Sequence, residues 1–333
     1  MLCPCDGWPL AGMVVLALLL GGCLDGASRT NPLDPRGEDF EGVGAVSGRV
    51  TGFYPPFAGL DGVEVRIEPG PVTATTRDGG AFGVDQLPEG EYILTASRAG
   101  YATVVDTCTV RVGETAQVEL RLDGLPAVDR LEIQSVHISR WWPPPQELFR
   151  LEVTAEVGDP DGLSDIERVW IEVPAVGLVD TLVASAVPGR YLTILQESTL
   201  PVGVESLLGH DHLLFVRDRA GVVTASGARQ IARLIAPTPV ALTPTSLALL
   251  ADAAPLFTWE PLLLVFPYTY RLDIVRVDEN IQTVVEIIEN LPPAAKSFKA
   301  PNALAAGEYF WTISVVDEFG NRSHSREAGF RIP

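Results

Sequence analysis

The 333-residue sequence is poor in the side chains that most chemistry needs. It has 4 histidines, 4 cysteines and 2 methionines, and its 24 Lys plus Arg are outnumbered by 43 Asp plus Glu. The formal net charge of −19 argues against a nucleic-acid partner, because phosphate backbones are bound by Lys and Arg that displace counterions. Four histidines leave little room for acid–base or metal chemistry. There is no G-x-S-x-G, no H-E-x-x-H and no phosphate-cradling glycine loop. The chain therefore reads as a non-enzyme, with no catalytic residue and no cofactor. The 31 glycines and 27 prolines recur throughout and argue against a helix-rich architecture. What is plentiful is apolar sequence, at 47%, too much for a disordered chain.

The longest early apolar run is Met13-Val-Val-Leu-Ala-Leu-Leu-Leu20, followed by Gly21-Gly22-Cys23. A short apolar core ending in small residues is the pattern of a signal peptide, here over residues 1–22. Leu20-Gly21-Gly22-Cys23 resembles the lipobox of bacterial lipoproteins. That resemblance implies lipid on Cys23 and a membrane as partner, since several acyl chains anchor stably where one binds marginally. In enteric bacteria an Asp after the lipidated Cys marks inner-membrane retention; Leu24 stands there instead, which implies the outer membrane, with either face open. Residues 1–12 lack Lys and Arg and contain Asp6, so Met1 and Met13 both stand as starts. The alternative is a spanning anchor over residues 7–24, an uncharged stretch of about 18 residues at the lower limit for crossing, interrupted by Pro9 and the glycine pair. Residues 23–44 are polar and Pro-broken, a flexible tether with a reach of about 25 Å. Cys108 is then the one free thiol, expected as a small buried core residue.

From residue 45 onward the pattern has period two. Val63-Glu-Val-Arg-Ile-Glu68, Phe149-Arg-Leu-Glu-Val-Thr-Ala-Glu-Val157 and Tyr268-Thr-Tyr-Arg-Leu-Asp-Ile-Val-Arg276 alternate apolar and polar residues, as strands with one buried face do. Turn clusters separate them: Asp78-Gly-Gly80, Asp159-Pro-Asp-Gly162, Asp218-Arg-Ala-Gly221 and Asp317-Glu-Phe-Gly-Asn321. The fold class is all-β, three tandem antiparallel β-sandwich domains over residues 45–124, 127–235 and 237–333. Gly-x-Tyr recurs at Tyr92, Tyr191 and Tyr309, where each hydroxyl is expected to tie a turn to the next strand.

Three family resemblances follow. Ser47-Gly-Arg-Val50, Leu60-Asp-Gly-Val-Glu-Val65, Thr76-Arg-Asp-Gly-Gly-Ala-Phe82, Leu87-Pro-Glu-Gly-Glu-Tyr92 and Ala99-Gly-Tyr101 resemble, in order, a carboxypeptidase regulatory-like domain. That implies a seven-stranded transthyretin-type sandwich acting as a spacer or stability module. Residues 127–235 resemble a generic immunoglobulin-like sandwich. Phe257-Thr-Trp-Glu-Pro261 and Leu304 to Asp317 resemble a fibronectin type III domain. The Leu262-Leu-Leu-Val-Phe266 loop is unusually apolar and is expected to pack.

Few residues stand out as sites. Trp141-Trp142-Pro143-Pro144-Pro145 is the most distinctive surface candidate: paired indoles beside rigid prolines suit a glycan or a Pro-rich protein, or else cover a sandwich end. Asp159, Asp161 and Asp165 offer calcium oxygens, but Gly162 comes too early for an EF-hand and the closing Glu is missing, so the segment reads as an ordinary turn and no metal is expected. His210-Asp-His212 allows a metal pair but lacks a third ligand and reads as a loop. The function that emerges is a lipid-anchored envelope protein that binds or scaffolds. The alternative is a carbohydrate-binding or accessory subunit of an envelope peptidase or glycan-degrading complex.

Overall fold

The computed structural model describes residues 42–279 and 281–333; the expected signal peptide, Cys23 and nearly all of the expected tether lie outside them. The fold is all-β, with three short 3-10 turns. The chain divides into two compact units. One runs to Arg98 and resumes over Thr103–Leu122; the other takes Ala99–Ala102 and Asp123–Pro333. Among the described residues no helix is long and apolar enough to cross a membrane.

The first unit is a seven-stranded sandwich. One sheet orders Ala81–Pro88, Val43–Gly52 and Thr115–Leu122; the other orders Val72–Thr75, Glu64–Glu68, Gly90–Ser97 and Val104–Val110. The alternation read from the sequence is realised: in Glu64–Glu68, Val65 and Ile67 are buried between wet neighbours. The Asp78-Gly79-Gly80 turn has all three residues at positive φ. Gly80 is obligatory there, because a Cβ would meet the Val50 carbonyl at 2.1 Å. Asp61 Oδ1 accepts the Gly79 and Gly80 amides at 2.9 and 2.8 Å, fixing the turn that delivers Phe82 to the core. Tyr92 donates its hydroxyl to Pro88 O at 3.0 Å, and Tyr309 in the other unit donates to Ala305 O at 2.9 Å. Both tie a turn back onto a strand, as expected of this motif; Tyr191 departs from that expectation, packing against the apolar core with no such bond among the described residues. Cys108 departs from expectation: it is half-buried rather than in the core. It sits in strand Val104–Val110, whose neighbours Thr107 and Thr109 are exposed, and burial together with Asp106 raises its thiol pKa.

The second unit holds two apolar cores. One draws on Leu131 through Ile231, the other on Ile235 through Ile332, centred on Phe257, Trp259, Tyr270, Trp311 and Phe330. One long hydrogen-bonded sheet contributes to both, while Phe257 and Trp259 lie in a separate sheet of Val240–Thr243, Leu256–Glu260 and Ser297–Lys299. The long sheet runs through Glu147–Gly158 and Ala127–Ser139 to the short strand Arg322–His324, then to Gly307–Asp317 and Tyr268–Asp278. Most pairs are antiparallel, but Arg322–His324 lies parallel to Ala127–Ser139, pairing Ser323 with His137.

The seam beside that parallel pair is polar. Asn321 Oδ1 accepts from Ser135 N at 2.9 Å and from Ser135 Oγ at 3.1 Å. Asp317 takes four donors: Phe319 N and Asn321 N at 2.9 Å each, Asn321 Nδ2 at 3.0 Å and Arg233 Nη1 at 2.8 Å. Buried carboxylates persist when every lone pair is used in this way. Asn321 heads an Asn-x-Ser sequon, yet it is buried within this network. The apolar loop after Glu260 is split. Leu262, Leu264 and Phe266 pack on the core, with Arg233 over the Phe266 ring at 3.9 Å, while Leu263 and Val265 point into water.

Candidate functional site

The two surface tryptophans sit on the connection between strands Ala127–Ser139 and Glu147–Gly158. Both are exposed, Trp141 by 62% and Trp142 by 77%. The loop is nonetheless held. Arg140 N donates to Gln146 O at 2.8 Å and Arg140 Nε to Pro145 O at 3.0 Å. Trp141 Nε1 donates to Glu327 O at 2.9 Å, and the Arg326 guanidinium lies 4.6 Å from the Trp141 ring. Three consecutive prolines fix φ along the remainder. Protein contacts thus orient one indole while its neighbour is left in water.

The Asp159 loop forms the turn expected of it, with Gly162 N donating to Asp159 O at 3.0 Å and Gly162 at positive φ. It also does something the local pattern does not display. Asp159, Asp161 and Asp165 are joined by Asp123 and Asp218. Carboxylate oxygens of Asp123, Asp161 and Asp165 lie within 4.8 Å of one another, and so do those of Asp159, Asp165 and Asp218. Asp165 is common to both groups.

Backbone amides orient these side chains by one oxygen each. Asp161 N donates to Asp159 Oδ1 at 2.8 Å, Gly124 N to Asp161 Oδ2 at 2.7 Å and Val222 N to Asp218 Oδ1 at 2.8 Å. Gly124 lies close against this loop: a Cβ there would stand 3.1 Å from both Asp159 Oδ1 and Asp161 N, so a larger residue would need its neighbours to shift slightly. The opposite oxygens, Asp159 Oδ2 and Asp218 Oδ2, together with Asp123 Oδ1 and Asp165 Oδ2, are buried without a hydrogen-bond partner. Exposure is 8% for Asp123, 4% for Asp165 and 0% for Asp218. Two carboxylates 4.8 Å apart repel by roughly 3 kcal/mol at an effective dielectric of about 20. Burial, then the charges of Asp218, Asp161, Asp165 and Asp159, push Asp123 up to about 6. Burial, with Asp165, Asp161 and Asp218 adding to it, takes Asp159 to about 6 as well.

Other candidates resolve differently. His210 is exposed and His212 buried, and His212 Nδ1 faces the carbonyls of His210 and Arg229 at 2.9 and 3.2 Å; burial lowers its pKa. The two rings do not share a face. One constellation was not anticipated: Ser323 Oγ lies 3.3 Å from His137 Nδ1, whose Nε2 lies 2.8 Å from Glu147 Oε2. The order resembles a serine–histidine–acid relay, but it is inverted in space. Ser323 is fully buried in the parallel strand, whereas the acid is the exposed member, so no substrate reaches the hydroxyl. Cys23 lies outside the described residues.

Against known proteins, the first unit is the recognisable part. The fold defines a chain of β-sandwich modules, and residues 45–123 match the family model of the carboxypeptidase regulatory-like domain. No curated protein matches the chain. Among solved structures it is similar to the Bacillus anthracis TIE protein, at 13% identity and TM-score 0.27, over 88% of this chain and 50% of that one. This chain thus spans about half of that protein. The full-length major pilin SpaD of Corynebacterium diphtheriae matches at 8% identity and TM-score 0.31, over 88% of this chain and 98% of the pilin. Fibronectin(III)-like modules of Clostridium thermocellum CbhA match at 13% identity and TM-score 0.29, over 62% and 93%.

Proposed function

We propose that this chain is a non-enzymatic binding module of a bacterial cell envelope, held at the outer membrane by lipid on Cys23 and making contact through the Trp141–Trp142 loop. The observation that carries the contact surface is the pair of indoles kept in water, 62% and 77% exposed, on a loop fastened by Arg140, Arg326 and Glu327. Exposed Trp is costly to leave unsatisfied, and Trp with neighbouring Arg dominates binding hot spots because it contributes large area at low entropic cost. The carboxypeptidase regulatory-like segment supports a spacer role for the first unit.

The test compares wild type with Trp142→Ala and Trp141→Ala/Trp142→Ala on a glycan array and in pull-downs from envelope fractions. Loss of a specific glycan or protein signal, with unchanged thermal melting, supports the reading and separates the two ligand classes. Retention of every signal in the double variant rejects the loop as the contact surface. Anchoring is tested by fatty-acid labelling of wild type and Cys23→Ala; labelling unaffected by the substitution rejects lipidation.

A further inference from the structure

The five-aspartate cluster is separate from the tryptophan loop and points to a ligand of its own. Five carboxylates converge on a small volume, and the charges acting on Asp123 are those of the other four. Each unpartnered oxygen belongs to a different residue, and three of those residues are more than nine-tenths buried. Buried carboxylates without donors are the exception in folded proteins and call for an explanation. Asp159 and Asp218 each have their other oxygen pinned by an amide, which holds the free one in position, and Asp123 and Asp165 are kept from water by burial.

We propose that this cluster is a calcium site, with Asp165 the ligand common to both groups of three. Oxygens bound at 2.3–2.6 Å around one calcium ion stand at most about 5 Å apart, and the 4.8 Å limit within each group fits that sphere. The donor set is all oxygen, which suits a hard cation and disfavours zinc or copper. The number of carboxylates discriminates further: magnesium keeps its waters and takes one or two carboxylates, whereas calcium accepts six to eight oxygens in flexible geometry. The ligands come from three separate stretches of chain: Asp123, the 159–165 loop and Asp218 at the end of strand Leu213–Asp218. A bound ion would therefore cross-link three parts of the second unit and replace mutual repulsion by attraction.

The experiment uses chelator-stripped protein titrated with calcium chloride and, separately, magnesium chloride, read by calorimetry and by the melting temperature. Saturable calcium binding with a rise in melting temperature is expected, and magnesium at the same millimolar concentration should produce neither. Asp165→Asn should lose both calcium responses while its ion-free melting temperature stays at or above that of wild type, because one repelling charge is gone. If Asp165→Asn does not fold, Asp161→Asn, at a less buried position, serves with the same expectation. The proposal is overturned if wild type binds no calcium at millimolar concentration, if magnesium acts equally, or if the folded variant binds calcium as wild type does.

Discussion

Asp317→Asn tests whether the polar seam holds the second unit together. The carboxylate accepts four hydrogen bonds and its side chain is fully buried. An asparagine keeps the acceptor for the Phe319 and Asn321 amides. Its amide nitrogen then faces two donors, Asn321 Nδ2 and the Arg233 guanidinium. Each lost bond to a charged acceptor costs about 1.5–3 kcal/mol. Arg233 retains Glu318 at 3.3 Å and the Phe266 ring at 3.9 Å, which places the net loss near the lower end, about 3 kcal/mol. All five described tryptophans lie in the second unit, so tryptophan fluorescence in a urea titration follows that unit. With a slope of about 1–3 kcal/mol/M, the midpoint should fall by roughly 1–3 M at unchanged slope. Glu318→Gln, at the more exposed carboxylate, should cost much less, because water screens that ion pair. A shift for Asp317→Asn no larger than that for Glu318→Gln would refute the idea that this carboxylate joins the segments.

Acid should destabilise the second unit through His324. Burial, then the charges of Arg322, Arg150 and Arg271, lower its pKa to about 3. The ring sits with Nδ1 2.9 Å from Ser314 Oγ and Nε2 accepting from Arg322 Nε at 3.2 Å. A depressed folded pKa gives stability that is complete above the unfolded value of about 6.5 and is lost as pH falls from there toward 3. At about 1.4 kcal/mol per unit, reduced for a partly exposed ring, lowering the pH from 7 to 4.5 should cost about 1–3 kcal/mol more in wild type than in His324→Gln. Equal losses in urea titrations of the two would contradict this assignment. The turn-tying hydroxyls are worth less: Tyr309→Phe should lower stability by about 0.5–1.5 kcal/mol in the same assay, and Tyr92→Phe, in the first unit, by as much in a urea titration followed by far-ultraviolet circular dichroism; no change in either would make those bonds incidental.

What the sequence disclosed depended on how locally each feature is encoded. Alternation named the strands around Val65 and Leu151 because a strand writes its buried face into every second residue. The tyrosine corners at Tyr92 and Tyr309 were legible for the same reason, since the hydroxyl and its carbonyl acceptor are four residues apart; Tyr191 shares the Gly-x-Tyr pattern but packs on the core instead. The parallel strand Arg322–His324 was not legible: three residues carry no period, and their partner lies some 186 positions earlier. Its seam is built from Ser, His, Asn and Arg, which read as surface in a linear chain. The acidic centre was half visible. Asp159, Asp161 and Asp165 stand together in one loop, but Asp123 and Asp218 arrive through pairing of distant segments. Asp218 looked like a hairpin residue, and it is one, with Oδ1 on Val222 N; its second oxygen has the other role.

The most direct measurement is anomalous X-ray scattering from crystals of the protein grown with a calcium-mimicking lanthanide such as terbium. A calcium site here requires a peak within bonding distance of carboxylate oxygens of Asp165 and of at least two of Asp123, Asp159, Asp161 and Asp218. Density showing these carboxylates satisfied by water or by one another, with terbium elsewhere or absent, would contradict it.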